Sequence, residues 1–137
     1  MSSKELVLVS ACLAGLQTKY DNRVVASPKC LQRLEQTNWI PVCPEQLGGL
    51  ATPRCAVDIV GGSATDVLGG TARVVCIDGS DVTEAFIKGA RQVVEIARRQ
   101  KISTVILKSR SPSCGVTKQG VTAALLEKHG FSLEEFD

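Results

Sequence analysis

The chain has 137 residues, a net charge of +2 and 44% apolar residues, values typical of one soluble globular domain. The small charge argues against a nucleic-acid or anionic membrane surface, and an aromatic content of 4% argues against a base-stacking platform. No apolar run reaches the roughly 18 residues expected of a membrane span. We therefore expect a single domain over residues 1–137, with no nucleic-acid or membrane partner, and the sequence leaves the oligomeric state open.

The N-terminal apolar run, residues 6–13, predicts a strand buried on both faces. Residues 9–12 within it (VSAC) resemble the cleavage box of a lipoprotein. The leader would be very short, however, and Glu5 stands beside Lys4 where the flank should be positive. We favour the strand and predict a cytoplasmic protein.

Helix and strand signals then alternate along the chain. Four further strands are predicted, at residues 39–43, 56–60, 71–77 and 102–107. Three helices are predicted, at residues 28–36, 82–100 and 121–129. Ser27 is a candidate N-cap of the first helix, and Asp81 with Glu84 forms a candidate capping box for the second. Gly130 is expected to end the third helix.

The order of these elements predicts an α/β fold: a single Rossmann-like three-layer domain with a mostly parallel sheet. Residues 44–70 are rich in Gly, Pro and Thr, so we expect mainly loop there, apart from the strand at 56–60.

Six cysteines are spread along the chain without a Cys-x-x-Cys pair: Cys12, Cys30, Cys43, Cys55, Cys76 and Cys114. This spacing excludes a zinc knuckle and a thioredoxin motif. Without a secretory signal a disulfide framework is disfavoured, and we expect reduced thiols, some of them packed in the core.

Three of the cysteines follow predicted strands. Cys12, Cys43 and Cys114 each lie at or just beyond a strand's C-terminal end, and the ligand crevice of an open parallel sheet lies outside those ends. Three thiolates at one edge would suit a soft metal centre. An iron–sulfur cluster usually has four cysteine ligands, so three would leave one iron open to substrate.

Polar residues accompany these cysteines. Glu45, two residues after Cys43, is a candidate general acid or base. Candidate substrate contacts are Tyr20, Asp21, Arg54, Lys108, Ser109 and Ser113, and Ser111 near Cys114 is a candidate hydrogen-bond donor. Each residue alone also has a simpler explanation, since a buried Cys is more often structural, and His129 suits a helix C-terminus better than a metal. On residues alone, a metal centre and a structural role both remain open.

Six blocks, in this order, resemble a known family: residues 9–15 (VSACLAG), 19–21 (KYD), 41–54 (PVCPEQLGGLATPR), 81–90 (DVTEAFIKGA), 107–115 (LKSRSPSCG) and 120–126 (GVTAALL). The family comprises small bacterial proteins long described as a domain of unknown function, and it includes 2-thiouracil desulfidases and related thiouridine desulfidases. The resemblance covers nearly the whole chain, and the Cys-Pro-Glu and Ser-Pro-Ser-Cys-Gly blocks together are highly specific.

This resemblance implies a [4Fe-4S] cluster, easily lost in air, held by Cys12, Cys43 and Cys114. It implies a small thiolated base or nucleoside as substrate, whose C=S group binds the open iron and becomes C=O with release of sulfide and no net redox change. Glu45 would transfer the proton, and a serine near Cys114 would assist, for which we favour Ser111.

The chain departs from the family pattern at residues 116–119, where family members carry a longer segment. Thr18 also stands where a cysteine is frequent, and Cys55 where a proline is common. Two alternatives follow. One is a non-catalytic metal- or cluster-binding protein that handles sulfur. The other is a sulfurtransferase-like enzyme with Cys114 as nucleophile in an anion-binding loop.

Overall fold

The computed structural model describes residues 4–137. Its strands are β1 (Glu5–Ser10), β2 (Thr37–Val42), β3 (Val57–Val60), β4 (Arg73–Cys76), β5 (Thr104–Lys108) and β6 (Ser132–Phe136). Its α-helices are α1 (Pro28–Leu34), α2 (Pro44–Leu47), α3 (Ala64–Gly69), α4 (Thr83–Arg99) and α5 (Val121–Lys128), and a 3₁₀ helix spans Ala11–Ala14. None of the helices described is long and apolar enough to cross a membrane.

Four strands form a parallel sheet in the order β2-β1-β5-β6. Val7, Leu8 and Val9 of β1 are fully buried, as expected of a central strand covered on both faces. Leu8 faces a core with Val93 of α4, whereas Val7 and Val9 face a core that contains Leu34 of α1. Helices therefore cover both faces of the sheet, and the predicted α/β fold with a mostly parallel sheet is confirmed.

Strands β3 and β4 form a separate antiparallel pair beside this sheet. Val74 of β4 packs with Val67 of α3 and with Phe86 and Ala90 of α4. The long helix α4 thus contributes to two cores, because some of its buried side chains pack against the parallel sheet and others pack against the β3–β4 pair.

Three predictions of local structure were incomplete. Strand β1 ends at Ser10 instead of residue 13, because the 3₁₀ helix begins at Ala11. Gly15, with φ 91°, caps the C-terminal end of this helix. The segment predicted as mainly loop contains α2 and α3. Strand β6 was not predicted, since its sequence SLEEF alternates poorly and it lies at the edge of the sheet with mostly half-buried residues.

The helix caps differ in outcome. The Ser27 hydroxyl accepts a hydrogen bond from the Cys30 amide at 3.2 Å, which confirms the predicted cap of α1. The capping box predicted for α4 is wrong. Asp81 instead accepts from the Thr83 amide at 2.9 Å and from Nε of Arg73 at 2.7 Å, so its carboxylate links α4 to β4.

Helices α2 and α4 touch backbone to backbone. A Cβ on Gly89 of α4 would lie 1.9 Å from the Pro44 carbonyl oxygen, and one on Gly48 would lie 2.0 Å from the Ala85 oxygen. Both positions accept only glycine at this separation. This contact fixes the start of α2, and with it the position of the Cys-Pro-Glu block, against the longest helix.

The structure corrects the expectation that all cysteines are reduced. Cys55 and Cys76 form a disulfide with a Cα–Cα distance of 5.8 Å. The backbone brings them together, because the Ala56 carbonyl accepts a hydrogen bond from the Ile77 amide at 3.0 Å. The other four cysteines are free thiols, and Cys30 is buried in the core, as expected of some of them.

Candidate metal centre

Three free thiols line one cavity of about 180 Å³, the inner cavity, beyond the C-terminal edge of the parallel sheet. Cys12 lies in the 3₁₀ helix after β1, Cys43 lies between β2 and α2, and Cys114 lies in the turn that follows β5. Neighbouring parallel strands end at the same edge of the sheet. Cysteines that are separated by 31 positions (Cys12 and Cys43) and by 71 positions (Cys43 and Cys114) therefore share one cavity.

The turn that carries Cys114 is shaped by Ser111. The Ser111 Oγ accepts hydrogen bonds from the amides of Ser113 at 3.2 Å and Cys114 at 3.1 Å. Arg110 adopts a left-handed backbone with φ 58°, which is uncommon for a residue with a side chain. Since both bonds use Ser111 as acceptor, its own hydroxyl hydrogen stays available for a group in the inner cavity.

Arg54 crosses the mouth of the inner cavity. Its Nη2 donates to the Thr18 carbonyl at 2.8 Å, to Glu45 Oε2 at 3.2 Å and to Cys43 Sγ at 3.7 Å. Its Nη1 donates to Thr52 Oγ1 at 2.8 Å. The side chains of Arg54 and Glu45 are only 9% and 14% exposed, so this ion pair is shielded from water and holds both partners in place.

The three thiols are kept protonated by their surroundings. Burial raises the pKa of Cys12 and Cys43 and raises that of Cys114 well above its usual value, and the negative charge of Glu45 acts in the same direction. A hydrogen bond with Ser10 partly opposes this effect at Cys114. Anionic ligands therefore form only when a cation compensates them, so metal binding would release protons.

Most of the predicted polar contacts also line the inner cavity: Tyr20, Glu45, Arg54, Lys108, Ser109 and Ser111. The Lys108 ammonium group donates to the Ser109 carbonyl at 3.3 Å. The Ser109 hydroxyl bonds to the Asp137 carboxylate at 2.6 Å. That hydroxyl is therefore already engaged, unlike the one on Ser111.

Two of the predicted substrate contacts do not reach the cavity. Asp21 turns back on its own loop, where its carboxylate accepts a hydrogen bond from the Arg23 amide at 3.2 Å. Ser113 points into the protein interior, with 1% exposure and no partner for its Oγ within residues 4–137. Neither residue lines the inner cavity, because the path of each turn directs the side chain elsewhere, and their contact with substrate stays a prediction.

Four polar residues that the sequence did not single out also line the inner cavity: Ser10, Thr18, Lys19 and Arg110. Ser10 Oγ accepts a hydrogen bond from the Lys108 amide at 2.9 Å, and this bond links the end of β1 to the end of β5. Thr18 acts through its carbonyl, which no side-chain pattern reveals. The sequence signals for Ser10 were its place two residues before Cys12 and its membership of the block at residues 9–15.

A second cavity of about 720 Å³, the outer cavity, adjoins the first. Six residues line both: Tyr20, Glu45, Arg54, Arg110, Ser111 and Pro112. The short connection 116–119 forms a compact turn in which Glu135 of β6 accepts hydrogen bonds from the amides of Val116 and Thr117. Lys118 and Gln119 of this turn line the outer cavity, so the short connection still forms part of the wall.

Another group of potential ligands lies outside the inner cavity. The sulfur atoms of Cys55 and Cys76 and a carboxylate oxygen of Asp78 are within 4.8 Å of one another. The two sulfur atoms are joined in the disulfide, so they are not available as thiolate ligands in this state.

The donors of the inner cavity fit an iron–sulfur cluster. Three thiols with no histidine form a soft ligand set, which suits such a cluster. Among residues 4–137, the sulfur atoms of Cys12, Cys43 and Cys114 do not all lie within 4.8 Å of one another.

Comparison with known proteins gives consistent results. The profile of the 2-thiouracil desulfurase family matches residues 7–136. The uncharacterized protein YbbK of Bacillus subtilis (strain 168) is 40% identical over 139 residues, which cover 92% of each chain. Among solved structures, the [4Fe-4S]-dependent thiouracil desulfidase TudS is 32% identical with a TM-score of 0.77, covering 96% of this chain and 91% of that one. The similarity therefore extends over nearly the full length of both proteins.

Proposed function

The chain belongs to the 2-thiouracil desulfurase family, and we propose that it converts the C=S group of a thiolated nucleobase, or a similar thiocarbonyl compound, to C=O. The net reaction adds one water and releases one hydrogen sulfide, with no change in oxidation state. The observation that carries the proposal is the set of three free thiols around one cavity whose wall also holds Glu45.

We assign Cys12, Cys43 and Cys114 as the ligands of a [4Fe-4S] cluster. When bound, such a cluster with three protein ligands supplies an iron with an open position, a Lewis acid with affinity for the thiocarbonyl sulfur. The hydrogen bond that the Cys114 amide donates to Ser111 Oγ holds Cys114 in its turn, and the contact with Arg54 Nη2 orients Cys43.

Glu45 is the proposed proton-transfer group. It lies on the walls of both cavities, and Arg54 holds its Oε2 at 3.2 Å. In this role the carboxylate takes a proton from the attacking water and returns it to the departing sulfur or to the ring nitrogen. Ser111 is the proposed assisting serine, because its hydroxyl hydrogen is free to donate to substrate, whereas Ser109 is bonded to Asp137.

The alternative with Cys114 as nucleophile is less well supported. A nucleophilic cysteine needs a lowered pKa and an accessible sulfur. Cys114 is only 4% exposed, and burial raises the pKa of its thiol. Its surroundings suit a ligand that is deprotonated when a metal binds.

Anaerobic reconstitution tests the proposal. We expect about four irons per chain and sulfide release from at least one of a panel of thiolated bases and nucleosides. Cys12→Ala, Cys43→Ala and Cys114→Ala should each lose the iron and the activity, whereas Cys30→Ala, at a buried cysteine outside the cavity, should keep both. Full activity of Cys114→Ala would disprove the ligand assignment. Four irons without turnover of any compound would favour the non-catalytic, sulfur-handling alternative.

A further inference from the structure

The disulfide lies beside the proposed source of sulfide. Both Cys55 and Cys76 line the outer cavity, which shares six wall residues with the inner one. Cys55 directly follows Arg54, whose guanidinium contacts Cys43 and Glu45. A sulfide ion that moves from the inner to the outer cavity therefore meets an oxidised cysteine pair.

We propose that the Cys55–Cys76 disulfide accepts sulfide and becomes a protein persulfide. The inference rests on the proposed function, because the desulfidation supplies the sulfide in the adjoining cavity. The bound sulfur would then be in the sulfane form that thiol acceptors can take up, so each oxidised chain would retain one equivalent of its product instead of releasing all of it.

The chemistry needs no further oxidant. Hydrosulfide attacks one disulfide sulfur, a new S–S bond forms, and the bond between the two cysteines breaks. The electron pair of the broken bond leaves with the second cysteine as a thiolate, which takes up the proton. One persulfide and one thiol result from one disulfide and one hydrosulfide, so atoms and electrons balance.

The difference in burial selects the sulfur that is attacked. Cys76 is 6% exposed on β4, whereas Cys55 is half-buried in a loop at the cavity wall. The more accessible Cys55 therefore receives the sulfur, and Cys76 is the leaving group. The remaining cysteines, Cys12, Cys30, Cys43 and Cys114, are free thiols, which sulfide cannot convert to persulfides without an oxidant.

The charged wall residues of the outer cavity carry a net charge of +1, and one carboxylate near the disulfide opposes it. Arg54 and Glu45 pair with each other, and the remaining charged wall residues are Arg110, Lys118 and Asp58. The Asp78 carboxylate lies close to the disulfide and repels the hydrosulfide anion. Ser80 donates two hydrogen bonds to this carboxylate. Asp78→Asn should therefore accelerate sulfide capture.

The first test supplies sulfide directly. Full-length oxidised protein without cluster is treated with sodium sulfide under argon, alkylated, digested and analysed by mass spectrometry. We expect one additional sulfur on the Cys55 peptide, a newly alkylated Cys76, and no additional sulfur on the Cys30 peptide. The rate should exceed that of oxidised glutathione by at least about tenfold, since a sulfide site must react faster than an ordinary exposed disulfide. No additional sulfur, or a rate equal to that of glutathione disulfide, would overturn the proposal.

The second test uses the reconstituted enzyme with a thiolated base. During the first turnovers, wild-type protein should release one equivalent per chain less free sulfide than the Cys55→Ser/Cys76→Ser variant. Equal release would contradict the proposal. If neither protein releases sulfide, the proposed desulfidation has failed, and the direct addition of sulfide still decides whether the disulfide accepts it.

Discussion

Glu45 is the carboxylate common to both cavities, held by Arg54 within a shielded ion pair. Glu45→Gln keeps the size of the side chain but removes its ability to accept a proton. We expect kcat to fall by about 10²- to 10⁴-fold while the iron content stays unchanged. Glu84→Gln, at an exposed residue in the first turn of α4, is the matched control and should keep full activity. A Glu45→Gln enzyme with normal kcat would remove Glu45 from the mechanism.

Arg54 is expected to act through its forked geometry as well as its charge. Its two terminal nitrogens reach Thr52, the Thr18 carbonyl, Glu45 and Cys43, and a lysine ammonium cannot span these partners. Arg54→Lys should lower kcat/KM about 100-fold, the effect of a misplaced catalytic group, with four irons retained. The matched control is Arg33→Lys, at another arginine that binds a carboxylate, that of Glu134, through two nitrogens. This variant should leave sulfide release unchanged. Comparable activities of the two variants would contradict this role.

Which of the three serines near Cys114 has a free hydroxyl could not be predicted from the sequence. The block around Cys114 places Ser109, Ser111 and Ser113 at alternate positions. Their different surroundings depend on the left-handed backbone at Arg110 and on the Asp137 carboxylate that engages Ser109. Composition identifies the cluster of serines, but the direction of each hydroxyl depends on contacts that arise only in the folded chain.

The close contact between α2 and α4 depends on glycine at position 89. Gly89→Ala would place a methyl group against the Pro44 carbonyl, so α2 must move. We expect the free energy of unfolding to fall by about 1–3 kcal/mol and the iron occupancy to drop, because α2 follows Cys43 directly. Gly69→Ala, at a helical glycine whose added Cβ would meet nothing within 4 Å, is the control. It should leave iron unchanged and stability equal or higher by up to about 1 kcal/mol in urea unfolding.

The link between β4 and α4 depends on pH. Hydrogen bonds from Thr83 and Arg73 lower the pKa of Asp81 from 3.8 to about 2. A carboxyl whose pKa is depressed in the folded state stabilises the fold above pH 4, and this contribution is lost as the pH falls towards 2. Asp81→Asn should therefore reduce the urea midpoint at pH 7 but not at about pH 1, where both proteins are neutral at this position. An equal difference at both pH values would show that the charge of Asp81 is irrelevant.

Elements with strong periodicity were predictable, and elements defined by their surroundings were not. Buried residues such as Phe86, Ala90 and Val93 recur along α4 with helical spacing, so the helix was evident from the sequence. Helix α2 has four residues and forms because Pro44 follows a strand end and Gly48 allows contact with α4. Strand β6 depends on pairing with β5 to overcome its weak pattern.

Topology explains why the meeting of three cysteines at one cavity was predictable and the disulfide was not. Cys12, Cys43 and Cys114 follow strands that are consecutive in the sheet, in the order β2-β1-β5. Parallel strands end at one edge, so the sequence order of strands and cysteines was enough to group them. Cys55 lies in an irregular loop, and its meeting with Cys76 depends on the path of residues 48–56, which no periodicity describes.

The disulfide is also expected to stabilise the whole chain against unfolding. It links residues with a sequence separation of 21, and closing a loop of that length restricts the unfolded state by about 3 kcal/mol on the chain-entropy estimate. In the folded state the Ala56–Ile77 backbone bond holds the two segments together without it, so reduction should leave the fold intact. Urea unfolding with and without reductant should therefore show a loss of about 3 kcal/mol in the wild type, and no effect of reductant on Cys55→Ser/Cys76→Ser. If the wild-type midpoint does not change with reductant, the pair is not oxidised in solution, and the chain then has no disulfide to accept sulfide.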